Sequence, residues 1–155
     1  MLKDYQRKIL ELLEQLEMEL ANLYQLFAEK YPGHKDLWDA MVAEETEHAV
    51  KLKKLSSMID EGQVIFDEKM TKTYTVQIFI DNIKKVYAEA QTGKMPLLKA
   101  LVLSNDFEKS IIEKKFYDYF LLKDPGVSAI FNAIREETNQ HSLNISTAMK
   151  EEKSR

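Results

Sequence analysis

Two breaker sequences, Pro32-Gly33 and Asp124-Pro125-Gly126, cut the chain into long runs with apolar side chains at helical spacing, and this division constrains the fold most. The first run covers about residues 4–31. The second, about 35–61, carries Leu37, Trp38, Met41, Leu52 and Leu55 and meets a stop at Gly62. Over residues 62–95 the pattern changes, with Val64-Ile65-Phe66 preceding a shorter helical segment that contains Val76, Phe79, Ile80, Ile83, Val86 and Tyr87. A third long run, 96–122, opens at Pro96, which is acceptable in a first helical turn. The fourth covers 127–150, and residues 151–155 are expected to fray. The order is helix, tight turn, helix, long crossover, helix, tight turn, helix. This predicts an all-α single domain over residues 1–155, a bundle with one crossover (62–95) containing a short helix.

The 155 residues, 45% hydrophobic and 31% charged, suffice for one compact core, and the Glu, Lys, Leu and Ala content favours helix. A net charge of −4 argues against nucleic-acid binding through a broad basic face. No apolar run is long enough to span a bilayer, and the opening Met1-Leu2-Lys3-Asp4-Tyr5-Gln6-Arg7 lacks the uncharged stretch of a secretory signal. A cytoplasmic protein with no membrane partner is expected. With no Cys, disulfides, thiolate metal sites, iron-sulfur clusters and cysteine nucleophiles are excluded, so a metal would need carboxylate and imidazole ligands.

The apolar stripe of the second run, through residues 38, 41, 52 and 55, passes directly through Glu45 and His48. Their Glu-x-x-His spacing puts both on one helix face, about 60° apart. A buried, unpartnered carboxylate costs several kcal/mol, so such a pair needs a partner, a proton or a metal. Each other long run carries a similar exception: Glu19 on the stripe of Leu12, Leu16, Leu23 and Phe27, Glu108 after Leu101 and Ser104 and before Ile111, and His141 among Val127, Ile130, Ile134 and Ile145. Glu19 and Glu45 are centred on residue 32, and Glu108 and position 138 on residue 123. Each hairpin thus brings its two positions level, roughly 20 Å from its turn.

The stretch from Glu19-Leu-Ala-Asn-Leu-Tyr24 to Ala28, with Trp38 and Glu44-Glu45-Thr46-Glu47-His48, resembles the first half of the ferritin-like di-iron carboxylate proteins, in particular the rubrerythrin-like branch. The resemblance implies an up-down-down-up four-helix bundle. Its first and third helices each give a Glu, and its second and fourth each give Glu-x-x-His. By that resemblance Glu19, Glu45, His48, Glu108 and His141 fall on ligand positions. It further implies two iron ions reducing dioxygen or hydrogen peroxide, a homodimer, and a separate electron donor, since no Cys is present for a rubredoxin-like domain. Manganese or zinc would suit the same donors.

The sequence departs from the pattern at Thr138, where a second Glu-x-x-His would place its Glu. The nearest carboxylate, Glu137, stands four residues before His141, about 40° away around the helix, and is the candidate sixth ligand. The departure leaves open a mononuclear site, a weak second position or an inactive relic. The functional alternatives are accordingly a non-catalytic metal-binding module or a structural bundle with a degenerate site. Glu44, Glu47, Glu113, Glu136 and the Lys51-Leu52-Lys53-Lys54 run read as solvated faces. Tyr24, Tyr117 and Tyr119 read as core packing, His34 as a surface residue and the Met residues as adaptable packing.

Overall fold

A computed structural model describes residues 3–58, 64–66, 73–114, 116 and 120–155. Among the described residues the regular structure is helical apart from one short strand pair. Its elements are α1 (Asp4–Lys30), a 3-10 turn at Pro32–His34, α2 (Lys35–Met58), β1 (Val64–Phe66), α3 (Thr73–Gln91), α4 (Leu97–Glu113), β2 (Phe120–Leu122) and α5 (Pro125–Lys153).

Pro32 ends α1 as expected, and its 3-10 turn carries the chain directly into α2. The end of α1 is tied further along the chain: the Tyr31 hydroxyl donates to the Met95 carbonyl, and Lys30 Nζ to that of Ala90. Beside them, Gly93 adopts φ 95°, the left-handed conformation that glycine takes without steric cost, and lets the chain turn from α3 towards α4. At the second breaker, Asp124 caps α5: its Oδ1 accepts from Gly126 N at 2.8 Å and Val127 N at 3.1 Å.

Three boundaries differ from expectation. α4 ends at Glu113 rather than 122, and Phe120–Leu122 pairs antiparallel with Val64–Phe66, Val64 opposite Leu122. A short apolar run cannot be assigned by periodicity alone, and here each run supplies the other's backbone hydrogen bonds. The helix expected to be short in the crossover, α3, spans 19 residues, and α5 continues to Lys153 where fraying was expected. The expected end of the second helix, residues 59–61, lies outside the described residues.

α1 packs extensively on α2 and also on α3, α4 packs on α5, and α2 meets α5 along a much thinner seam. The core runs through all five helices, with Trp38, Tyr24, Phe27 and Phe131 among its largest buried side chains. Trp38 lies between Tyr24 and Phe27, at centroid distances of 5.7 and 5.0 Å, and α3 joins α4 through Phe79 and Phe107 at 5.6 Å. No described helix is long and apolar enough to cross a membrane.

Asp124→Ala should cost about 0.5–2 kcal/mol of stability, measured by urea unfolding, because it removes the acceptor for two N–H groups at the start of α5.

A candidate metal centre

α2 presents Trp38, Met41, Glu45, His48, Leu52 and Leu55 on one buried face, as the stripe predicts. On α4 the buried face holds Leu101, Ser104, Glu108 and Ile111, and on α5 it holds Val127, Ile134, Thr138, His141 and Ile145. Glu45, His48, Glu108 and His141 are therefore carried inward by ordinary amphipathic helices and are each at most 2% exposed.

α1 contributes Glu17, not Glu19, to this buried cluster. Glu17 is 1% exposed, whereas Glu19 is only partly buried, 4.0 Å from Lys84 of α3. The cause is that α1 is apolar on two sides. Residues 10, 13, 17, 20, 24 and 27, at alternating spacings of three and four, are all buried. Glu19 belongs to a different row. Together with Leu26, Lys84 and Tyr87 it lines a surface groove between α1 and α3, and Leu12 also faces α3 beside Thr73 and Tyr74. The rows on α1 differ by two residues, a shift that stripe counting could not resolve.

Two triads result, Glu17–Glu45–His48 and Glu45–Glu108–His141, all buried, with the donor atoms of each triad within 4.8 Å of one another. Glu45 belongs to both. Its Oε2 lies 3.3 Å from His48 Nδ1 and its Oε1 2.8 Å from His141 Nδ1. Glu17 Oε2 and Glu108 Oε1 stand 3.6 Å from the same two nitrogens, respectively. The imidazoles are stacked with centroids 6.2 Å apart.

The outer nitrogens of the two rings are held by carboxylates exchanged between helices. His48 Nε2 lies 2.5 Å from Glu137 Oε2 of α5, and His141 Nε2 bonds Glu44 Oε2 of α2. Glu44 and Glu137 each stand four residues before a histidine and each bonds the other helix's histidine. This places Glu137 behind an imidazole instead of among the inward donors, and it gives Glu44, expected to be merely solvated, the matching role. Position 138 contributes no carboxylate: Thr138 Oγ1 donates to the Ile134 carbonyl at 2.8 Å. Tyr24 does more than pack, since its hydroxyl donates to Glu108 Oε1 at 2.6 Å. Tyr117 and Tyr119 lie outside the described residues.

These contacts test whether a metal fits. A proton on Nε2, held by an outer carboxylate, leaves each neutral imidazole with an Nδ1 lone pair facing carboxylate oxygens. Nδ1 of His48, Nδ1 of His141, Oε1 of Glu45 and Oε2 of Glu108 are buried, and none has a hydrogen-bond partner. The 2.8 Å approach of Glu45 to His141 lacks hydrogen-bond alignment. Electron-rich atoms gathered in this way need a proton or a cation among them, and the site could hold a metal ion for that reason. Carboxylate with imidazole is a donor set able to bind divalent metals.

Without metal, protons take that place. Burial lowers the affinity of His48 for a proton, but Glu17 and Glu45 more than offset it and push its pKa up to about 11. His141 is likewise pushed up to about 11 against the effect of burial, by Glu108 and Glu45. Burial, followed by the charges of Glu17 and Glu108, holds the Glu45 carboxyl well above the usual carboxylate range. Burial and then Glu108 raise the Tyr24 phenol.

All these shifts are upward, so the folded metal-free protein binds more protons than the unfolded chain. The histidine contribution to stability is complete below their ordinary value of 6.5 and is lost as pH rises towards about 11. Urea unfolding of metal-free protein between pH 6 and 9 should therefore show stability falling with pH, by about 1.4 kcal/mol per pH unit for each excess proton. Saturating metal should flatten this dependence, because bound ligands are already deprotonated. A stability that rises with pH in the metal-free protein would contradict the assignment. Comparison of the chain with protein-family models, with curated proteins and with solved structures finds no match.

Proposed function

We propose that this is a ferritin-like, rubrerythrin-like protein that binds two iron ions, one in each triad, and acts as an oxidoreductase on dioxygen or hydrogen peroxide. The observation that carries this reading is the sharing of Glu45 by two buried Glu/His triads. A carboxylate shared by two donor sets would suit a pair of neighbouring ions. In this reading α1, α2, α4 and α5 form an up-down-down-up four-helix bundle and α3 lies in the crossover, in keeping with the α1–α2 and α4–α5 packing.

The iron pair would supply electrons to the bound oxidant, and a separate donor would restore them. The chain's own residues provide the setting. Glu17, Glu45 and His48 would hold one ion, and Glu45, Glu108 and His141 the second. Glu44 and Glu137 orient the imidazoles and keep their protons on Nε2, so that Nδ1 is available as a donor. Tyr24 donates to Glu108 Oε1 and would hold that carboxylate in place, while Oε2 has no hydrogen-bond partner. The apolar layers on either side, including Leu13, Leu20 and Trp38, exclude bulk water. Manganese or zinc fits the same donors, and a cytoplasmic homodimer remains part of the reading.

The second reading is a non-catalytic metal-binding protein or a structural bundle with a degenerate site, and Thr138 favours it. With Thr138 in place of a carboxylate, the two positions share one bridging residue instead of two.

Protein prepared anaerobically and loaded with ferrous iron should contain two iron ions per chain by elemental analysis. Glu45→Ala should lose both and His141→Ala one. The loaded protein should consume hydrogen peroxide with a supplied reductant, and the Glu45→Ala variant should not. Stoichiometric binding without turnover would select the non-catalytic reading, and absence of binding would reject both metal readings.

A further inference from the structure

The two triads differ in how the chain assembles them. Glu17, Glu45 and His48 all come from α1 and α2, which the three-residue 3-10 turn joins and which share the most extensive helix contact in the molecule. Glu45, Glu108 and His141 come from α2, α4 and α5, and they meet across the thin α2–α5 seam. The polar contacts at this level also span the two hairpins: Tyr24 to Glu108, Glu44 to His141 and Glu137 to His48.

We infer that the two ion positions are unequal and fill in order, the position within the α1–α2 hairpin first, and that the second ion is a clasp across the α2–α5 seam. The inference rests on the metal-binding reading above.

Two features set the order, and a third weakens whichever position fills second. All three side chains of the first triad stand on a single helical hairpin, with α5 contributing only Glu137 behind the His48 ring, so an ion there requires little further ordering of the chain. In the second triad, Glu108 already has one oxygen engaged by the Tyr24 hydroxyl, and only Oε2 is left without a hydrogen-bond partner. The position filled second also meets the charge of the first ion and a Glu45 that has already committed one oxygen. Thr138 provides no second shared carboxylate to offset that repulsion. The ion filling last is then bound to three helices at once, so its binding energy opposes local separation of α2 from α4 and α5.

Cobalt(II) reports both parts of the inference, because its visible absorption follows ligand binding and needs no turnover. Anaerobic titration of the wild-type protein should show two steps whose dissociation constants differ by about tenfold or more, which is about 1.4 kcal/mol. Glu108→Gln should keep the tight step and lose the weak one, and Glu17→Gln should lose the tight step. Site-resolved hydrogen exchange should show protection rising around residues 45–48 with the first equivalent and around 104–108 and 138–142 only with the second. Two equal steps in the wild type would overturn the inference while leaving the metal-binding reading intact. Loss of the tight step in Glu108→Gln, or protection of α4 and α5 by the first equivalent, would overturn it as well. No cobalt bound at all would remove the metal-binding reading and this inference with it. The wild-type titration and exchange do not depend on the variants folding.

Discussion

Glu45 is buried between two imidazoles whose Nδ1 atoms both face it, and this arrangement needs a proton or a cation among the three. Leaving a buried carboxylate without such charge costs several kcal/mol, a large fraction of the stability of a domain of this size. The metal-free protein meets the need with protons on its histidines and on Glu45, and metal ions would meet it by replacing them. Folding and site chemistry are therefore linked through one residue. The apolar faces of α1, α2, α4 and α5 bring the helices together, but the charge state at Glu45 sets the terms on which they meet.

The outer shell of the site follows from a repeated spacing. Glu44 precedes His48 by four residues and Glu137 precedes His141 by four, and each carboxylate reaches the opposite histidine. This exchange ties α2 to α5 where their apolar contact is thin and fixes both ring orientations from outside the core. The two hairpins match at Glu17 and Glu108, at His48 and His141, and at Glu44 and Glu137. They part at Glu45 and Thr138, so Glu45 alone serves both triads.

Much of this was legible in the sequence because a polar residue on an apolar helical stripe is conspicuous. Glu45, His48, Glu108 and His141 stand out this way, Pro32 marks the α1–α2 turn, and Asp124 marks the start of α5, although α4 ends well before it, at Glu113. Glu17 was missed because α1 is buried against both α2 and α3. Glu19 lies on the side turned to α3, where Lys84 stands near it. The spacing of residues 10, 13, 17, 20, 24 and 27 carried the right signal. Glu44 was readable in retrospect, since it stands to His48 as Glu137 stands to His141. Side-chain reach across helices is not encoded in periodicity, so the hydrogen bond from Tyr24 to Glu108 was not visible. The short β1–β2 pair escaped for a related reason, because its two runs are defined by each other.

The central claim is that Glu45 lies between two ions, and anomalous diffraction from crystals grown anaerobically with ferrous iron tests it most directly. The account predicts two iron peaks, one between Glu17, Glu45 and His48 and the other between Glu45, Glu108 and His141. Iron found only at surface carboxylates, or no iron within the buried triads, would contradict it.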